Sequence, residues 1–565
     1  MKKLRWQLLI IFLTGLVVGF LLLGEQPKPV SLVESPEPVK GGVYTEALVG
    51  SLLRLNPLLS TFNPADRDVS RLIFSGLVRF DSRGNPQTDL AENVGFSQDG
   101  TLVNVNLRTD AKWHDGEPVT ADDVVYTVEL LRQGAGIIPQ DVQDFWKEVE
   151  VVKLSADMLQ FRLPEAFAPF RDYLAFGLLP SHILAGQTLE ALIDSPFNLE
   201  PIGTGPYRFN QLVVEGGQII GVALTANQDY YGVKPYIDQI VFRYYADTAG
   251  AMQAYRDGQV QGLGMVTPEI LPEVLAEPGL AVYTARRPEL SMLMFNTNTS
   301  DAEFFKDAKV RRALLLGLNR QWIVDRILQG QAVVADGPIL PGTWAYYDAL
   351  KREPYDPAAA RALLKEAGYG LVEEGDVVRK NGDVALRFVL THPEDDVQRQ
   401  VAEYIRDSWN ALGAQVELEA LPYDQLITER LDPRGFQAAL VAVNMARSPD
   451  PDPYPFWDQA QAVVGQNYSQ WDHRVASEYL EQARITVNTA ERARLYRNFQ
   501  IIFTQELPAL PLYYPMYTYA VSRDVQGVRV GPLFDVAERF AGVSEWFLTT
   551  QQKPGSASSQ ATPNP

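Results

Sequence analysis

Apolar residues recur along the chain at helical spacing in several well-separated runs. They are Val124, Val128 and Leu131; Trp322, Ile323, Ile327 and Leu328; Leu363 and Leu364; Val397, Val401 and Ile405; and Leu495, Phe499 and Ile502. Each run carries its own punctuation. Thr120 predicts an N-cap, with Asp122 and Asp123 in the first turn where negative charge favours the helix dipole. Asn319 and Gly330 bracket the second run. Asp356-Pro357 puts a capping residue before a proline at the first helical position, and Gly368 closes that helix. Asn488 with Glu491 reads as a capping box, and Pro508 ends the helix it opens. Gly413 stops the 397–405 run, after which Val416, Leu418 and Ala420 alternate as a strand does. The chain is therefore mixed α/β, without an internal repeat at solenoid periods.

A different pattern opens the chain: Lys2, Lys3 and Arg5, then an apolar run from Leu8 to Leu23. Residues 1–24 form an export or anchor segment, its positive flank cytoplasmic and Trp6 suited to the interface. Two readings stand. A cut after Gly24 leaves Leu22 where a secretory peptidase wants a small residue, so an uncleaved anchor is preferred to a cleaved signal peptide. The run is a little short against the ~20 residues that span comfortably. Residues 25–41, with Pro27, Pro29, Pro36 and Pro38, predict an extended Pro-rich linker, and 551–565 a disordered tail.

Composition narrows the function. With 565 residues there is room for about three or four domain-sized units. A formal charge of −20 argues against nucleic acid or an anionic membrane surface as main partner. Cysteine is absent, which excludes disulfides, thiolate zinc sites, a thiol nucleophile and a cysteine-linked lipid. The 4 histidines, His114, His182, His392 and His473, make no helical metal pair. Gly95-Phe96-Ser97-Gln98-Asp99 approaches a nucleophile elbow but lacks its last glycine, so Ser97 reads as turn chemistry. No phosphate-binding Gly-Lys loop occurs, and prolines interrupt Asp450-Pro451-Asp452-Pro453 where a calcium loop needs flexibility. No catalytic residue, metal or cofactor is expected.

The run Lys112-Trp113-His114-Asp115-Gly116-Glu117-Pro118-Val119-Thr120-Ala121-Asp122-Asp123-Val124 says more. It resembles a signature segment of the bacterial extracellular solute-binding proteins of family 5, the peptide- and nickel-binding subunits of ABC importers. Collinear matches surround it: Leu72 to Val78, Leu90-Ala91-Glu92-Asn93, Gly203-Thr204-Gly205-Pro206-Tyr207, Tyr255 to Gly258, Phe295-Asn296, Val310 to Leu314, Tyr355-Asp356-Pro357 and Pro449-Asp450-Pro451. The shared order, from about 42 to 545, is what carries the resemblance.

The resemblance implies an α/β, two-lobed, periplasmic-binding-protein-like (Venus-flytrap) fold with an extra domain inserted in lobe one. Carried over, lobe one takes 42–81, 197–289 and 508–550, the inserted domain 82–196, and lobe two 290–507. It also implies pocket residues. Tyr423 follows the strand ending at Leu421, Tyr513 and Tyr514 follow the Pro508-to-Pro511 crossover, Thr61, Phe62 and Asn63 follow Asn56-Pro57, and Asn296 opens lobe two. For the tyrosines, packing is the competing role. One departure stands out: relatives often read Trp-x-Ala-Asp-Tyr-Pro-Asp-Pro, their aspartate pairing with the ligand's ammonium group. This chain reads Asn444-Met445-Ala446-Arg447-Ser448-Pro449-Asp450-Pro451, so Asn444 replaces the tryptophan and Arg447 reverses the charge, either facing the cleft, or turned outward or paired with a nearby carboxylate such as Asp450. The implied role is an extracytoplasmic, monomeric solute receptor for an ABC permease with a separate ATPase, without nucleic acid. A sensory module and a secreted hydrolase are the rivals, and the hydrolase lacks a nucleophile.

Overall fold

The computed structural model describes residues 37–549, apart from 135, 372–376, 446–448 and 532. Segment 1–24, most of the linker, the tail and Arg447 therefore lie outside the described residues. From Lys40 onward the described residues form one compact unit. Among the described residues no helix is long and apolar enough to cross a membrane.

Local signals account for many elements. Thr120 opens the helix Ala121–Gln133, where the Asp123 carboxylate accepts the Thr120 N–H at 2.8 Å. Asp356 caps Pro357–Glu366 through Ala358 and Ala359, and Asn488 caps Thr489–Glu506 through the Glu491 N–H at 3.0 Å. Ser97 bonds Asp99 at 2.5 Å and accepts the Leu102 N–H, which is turn chemistry. Two expectations need correcting. Val397 is 43% exposed, the core face of Asp396–Asn410 being Val401, Ile405 and Trp409 instead. The 319–330 run is a single turn, Arg320–Trp322, continued by the π-helical turn Ile323–Ile327, with Trp322 outside the core and stacked on Tyr404.

Twelve strands build one sheet: β1 (Val43–Val49), β2 (Tyr207–Glu215), β3 (Gln218–Ala226), β4 (Gln239–Tyr245), β5 (Gly262–Leu263), β6 (Leu280–Arg286), β7 (Glu289–Phe295), β8 (Ala332–Val334), β9 (Arg387–Pro393), β10 (Gln415–Leu421), β11 (Ala438–Asn444) and β12 (Ala509–Ser522). In space the order is β10-β9-β11-β7-β12-β5-β1-β4-β3-β2, with β6 and β8 also paired to β12. Strand β1 runs parallel to β4 and β5, and β9 runs parallel to β10 and β11.

Strand β12 changes partners along its length. Its first residues pair with β7, 513–515 pair with β8, and 516–522 pair with β6. Strands β6 and β7, separated by Arg287 and Pro288, make the same passage beside it, and Arg287 N–H donates to the Pro515 carbonyl at 2.8 Å. Pro511 and Pro515 offer no N–H, so the ladder breaks inside β12 where its partners change.

A second, four-stranded sheet is built from Ala91–Phe96, Leu102–Leu107, Met158–Arg162 and Glu150–Lys153. Its Val103 and Phe161 share one buried cluster with Tyr44, Tyr207 and Phe242 of the large sheet. The signature run stitches the two together. His114 N–H donates to the Gly203 carbonyl, Gly203 N–H donates to His114 Nδ1 at 3.2 Å, and Nε2 lies 3.1 Å from the Gly205 carbonyl. A Cβ at Gly203 or Gly205 would collide with the carbonyls of Ile73 and Leu72, so only glycine permits this approach.

This stitch requires neutral His114. Burial, with Arg208 adding repulsion, pushes its pKa from 6.5 down to about 4. The unfolded chain then binds the proton more readily, so stability present above pH 6.5 is lost as pH falls. Urea titrations are expected to show roughly 3 kcal/mol less stability at pH 4 than at pH 7 from this group. His114→Ala should remove that share of the slope, and an unchanged slope in the variant would disprove the assignment.

Candidate ligand-binding site

In open α/β sheets ligands bind outside the carboxyl ends of the parallel strands. One such edge is where β9 ends at Pro393, β10 at Leu421 and β11 at Asn444. Because β7 is antiparallel to β11, its first residue Glu289 pairs with Asn444 and Ser291 pairs with Ala442. Tyr513 of β12 comes opposite Ser291 from the other side.

Four expected residues meet here. Tyr423, 43% exposed, donates its hydroxyl to the Ala442 carbonyl at 2.9 Å. Burial, with the Glu289 charge adding to it, raises its pKa. Asn444 ends β11, and Met445 N–H donates to the Pro288 carbonyl at 2.7 Å, which ties this edge to the crossing between lobes. Tyr513 is buried, its hydroxyl 3.4 Å from Gln398 Nε2. The undescribed segment with Arg447 continues from Met445.

Other expected residues lie elsewhere. Asn296 is at the far end of β7, roughly 20 Å from Glu289 by strand rise. It is 2% exposed, donates to the Arg434 carbonyl and accepts from Gln470 Nε2 and the Asn298 N–H, so it is a clasp between loops. Tyr514 follows Tyr513 along β12 and therefore faces the other side of the sheet. There it is fully buried, donating to the Gly337 and Ile339 carbonyls. In lobe one, Thr61, Phe62 and Asn63 precede the helix Pro64–Ile73. Asn63 is its N-cap and donates to the Ser51 carbonyl, the Thr61 backbone carbonyl accepts from Arg67, and Phe62, 75% exposed, presents a large apolar side-chain face.

Sequence reasoning missed Glu289 and Gln398. Glu289 stands at the cluster's edge, 3.4 Å from Arg287, and Gln398 Oε1 is buried without a hydrogen-bond partner among the described residues. The break in a hydrophobic run at Arg287-Pro288-Glu289 was the available signal, but only strand order shows what it faces.

A cavity of about 220 Å³ lies in lobe one beside the helix Pro64–Ile73, lined by Phe74, Phe80 and Phe176. Its charges are largely paired within the chain, Arg67 with Asp535 at 3.0 Å and Arg71 with Glu538 at 2.9 Å. His182 contacts Asp115 at 2.8 Å, and among the described residues no group of three or more histidine or carboxylate side chains is placed to hold a metal ion.

A family model described as bacterial extracellular solute-binding proteins, family 5 Middle, matches residues 85–464. The chain is 26% identical over 521 residues to the oligopeptide-binding protein AppA of Bacillus subtilis (strain 168), covering 91% of this chain and 92% of that protein. It is 26% identical over 529 residues to the dipeptide-binding protein of Escherichia coli (strain K12), covering 88% and 94%. HbpA2 from Haemophilus parasuis shares the fold, with a TM-score of 0.77, 22% identity and coverage of 90% and 100%.

Proposed function

Because the chain belongs to family 5 of the bacterial extracellular solute-binding proteins, we propose that it closes its lobes on a peptide-like or other small organic solute and delivers it to an ABC permease served by a separate ATPase. The observation that carries this reading is the strand edge where Tyr423, Asn444, Met445, Tyr513 and Glu289 converge beside the crossing strands. Such an edge offers aromatic and apolar surface with a few directed polar groups, as a solute site requires. The names of the oligopeptide- and dipeptide-binding relatives support a peptide-like ligand. Contacts to both lobes favour the closed form, and no covalent step enters. Phe62 supplies the lobe-one contact, within a lobe taken as 42–81, 197–289 and 508–550 around the inserted 82–196, facing lobe two at 290–507.

Small-angle scattering with a mixed di- to pentapeptide library is expected to give a smaller radius of gyration at saturation, with every peptide recovered intact. A hydrolysed peptide, or an unchanged radius despite binding, would sink the receptor reading.

We further propose that segment 1–24 tethers this receptor at the extracytoplasmic face of the cytoplasmic membrane. Intact-mass measurement of the membrane fraction is expected to return the chain with its N-terminal segment. A membrane-free form beginning near Gly24 or Glu25 would replace the anchor with a cleaved signal peptide.

A further inference from the structure

The Pro449-Asp450-Pro451 motif has no part in the strand edge, yet both lobes grip it. Within 449–453 the prolines at 449, 451 and 453 carry no N–H, leaving Asp450 and Asp452 as the donors. Asp452 N–H donates to the Asp450 side chain at 3.1 Å. Asp450 N–H instead crosses 278 positions of sequence to Asp172 Oδ2 at 2.9 Å, and both residues are buried. Asp172 sits in the 3-10 turn Ala168–Ala175, whose Phe170 packs on Phe161 of the four-stranded sheet.

The grip from lobe two is ionic. The Asp450 carboxylate is held by Arg492 and by the Tyr496 hydroxyl at 3.0 Å. Arg484 pairs with Asp452 at 3.2 Å and lies over both Tyr454 and, across the lobes, Phe167 at 5.0 Å. Burial first, then repulsion from Asp450, raises Asp452 to about 6 against the attraction of Arg484. A second contact runs beside it, where Trp344 N–H donates to the Arg83 carbonyl at 3.1 Å while Arg492 lies over the Trp344 ring. The segment so held continues directly from the Asn444–Met445 end of the candidate site through 446–448.

We propose that Asp172 is a positioning residue for solute capture: by accepting the Asp450 N–H it latches the segment that continues from the ligand edge to the four-stranded unit, and so sets how long the lobes stay closed. The proposal rests on the receptor reading above. A charged acceptor in a buried interface makes the stronger kind of hydrogen bond, so replacing it weakens this contact between the lobes.

The test needs no ligand. The chain has no cysteine, so spin labels can be placed at Ser155→Cys and Lys365→Cys alone, both exposed and on opposite sides of the contact. Pulsed EPR of the full chain is expected to show a short-distance population that falls at least threefold in Asp172→Ala. Asp172→Asn, whose side-chain oxygen still accepts, should restore it at unchanged thermal midpoint. If Asp172→Ala fails to fold, Asp172→Glu, which keeps the charge but displaces the oxygens, is expected to lower the same population. Identical distance distributions in parent, Asn and the folded disruptive variant would overturn the latch. A parent protein whose distances ignore saturating peptide would count against the receptor reading and leave the ligand-free comparison standing.

Discussion

Arg539→Met is expected to cost lobe one about 3–5 kcal/mol of stability, the usual penalty for removing one partner of a buried ion pair. Arg539 is 0% exposed. Its guanidinium donates to Glu46 and to Asp68, each at 2.7 Å. Glu46 also accepts the hydroxyls of Tyr44 at 2.6 Å and Tyr519 at 2.8 Å. Burial disfavours the charge of Arg539, but Asp68 and Glu46 outweigh it and hold its pKa well above the ordinary value. Without the arginine Glu46 keeps only the Tyr44 and Tyr519 hydroxyls and Asp68 loses its one hydrogen bond to the guanidinium, so two buried carboxylates are left without a compensating charge. Because Glu46 lies on β1 and Tyr519 on β12, this cluster also fixes the crossing strand to lobe one. Urea unfolding of the full chain would measure the loss. Adding Glu46→Gln and Asp68→Asn to Arg539→Met should recover part of it, since the charges that needed the arginine are then gone. A loss below about 1 kcal/mol in the single variant would show that the cluster is hydrated or rearranges freely.

How far the sequence could be read follows from the range of the forces involved. Caps and turns depend on a few neighbouring residues, so Thr120, Asp356, Asn488 and Ser97 could be assigned from their immediate surroundings. Burial is set by what an element packs against. Val397 has the right spacing but lies on the outward side of its helix, and Ala420 alternates correctly yet is exposed. The site is harder still, because its membership depends on strand order. Tyr423 and Asn444 come together because β10, β9 and β11 end at one edge, whereas Asn296 is excluded only because β7 runs antiparallel to β11. Tyr513 and Tyr514 illustrate the same limit at the smallest scale. Adjacent residues of a strand face opposite ways, and choosing between them requires knowing which side of β12 carries the pocket. The four-stranded unit's contact with Asp450 joins residues 278 positions apart and had no local signature at all.

The remaining large effect is one of ligand choice. Arg447, outside the described residues, comes two positions after Met445 in the sequence, where peptide-binding relatives resembling this chain often carry an aspartate. An aspartate there attracts a free ammonium terminus. A guanidinium repels it and offers instead a planar, permanently charged fork suited to a carboxylate or phosphate. Glu289, at the strand edge of the candidate site, already has Arg287 at 3.4 Å, so it offers a ligand ammonium less than a lone aspartate would. We therefore expect the unmodified protein to prefer amino-blocked or anionic ligands over matched free-amino peptides. Arg447→Ala should weaken those ligands by about 2–5 kcal/mol, the range for truncating one partner of a buried charge pair. Arg447→Asp should go further and turn the preference toward ligands with a free amine, a sign change that mere loss of packing would not produce. Calorimetric titration of the three proteins with N-acetylated and free-amino versions of the same peptide measures both effects at once. Tight binding of the free-amino peptide by the unmodified protein, together with an Arg447→Ala variant indistinguishable from it, would place the arginine at the surface and return the chain to ordinary peptide specificity.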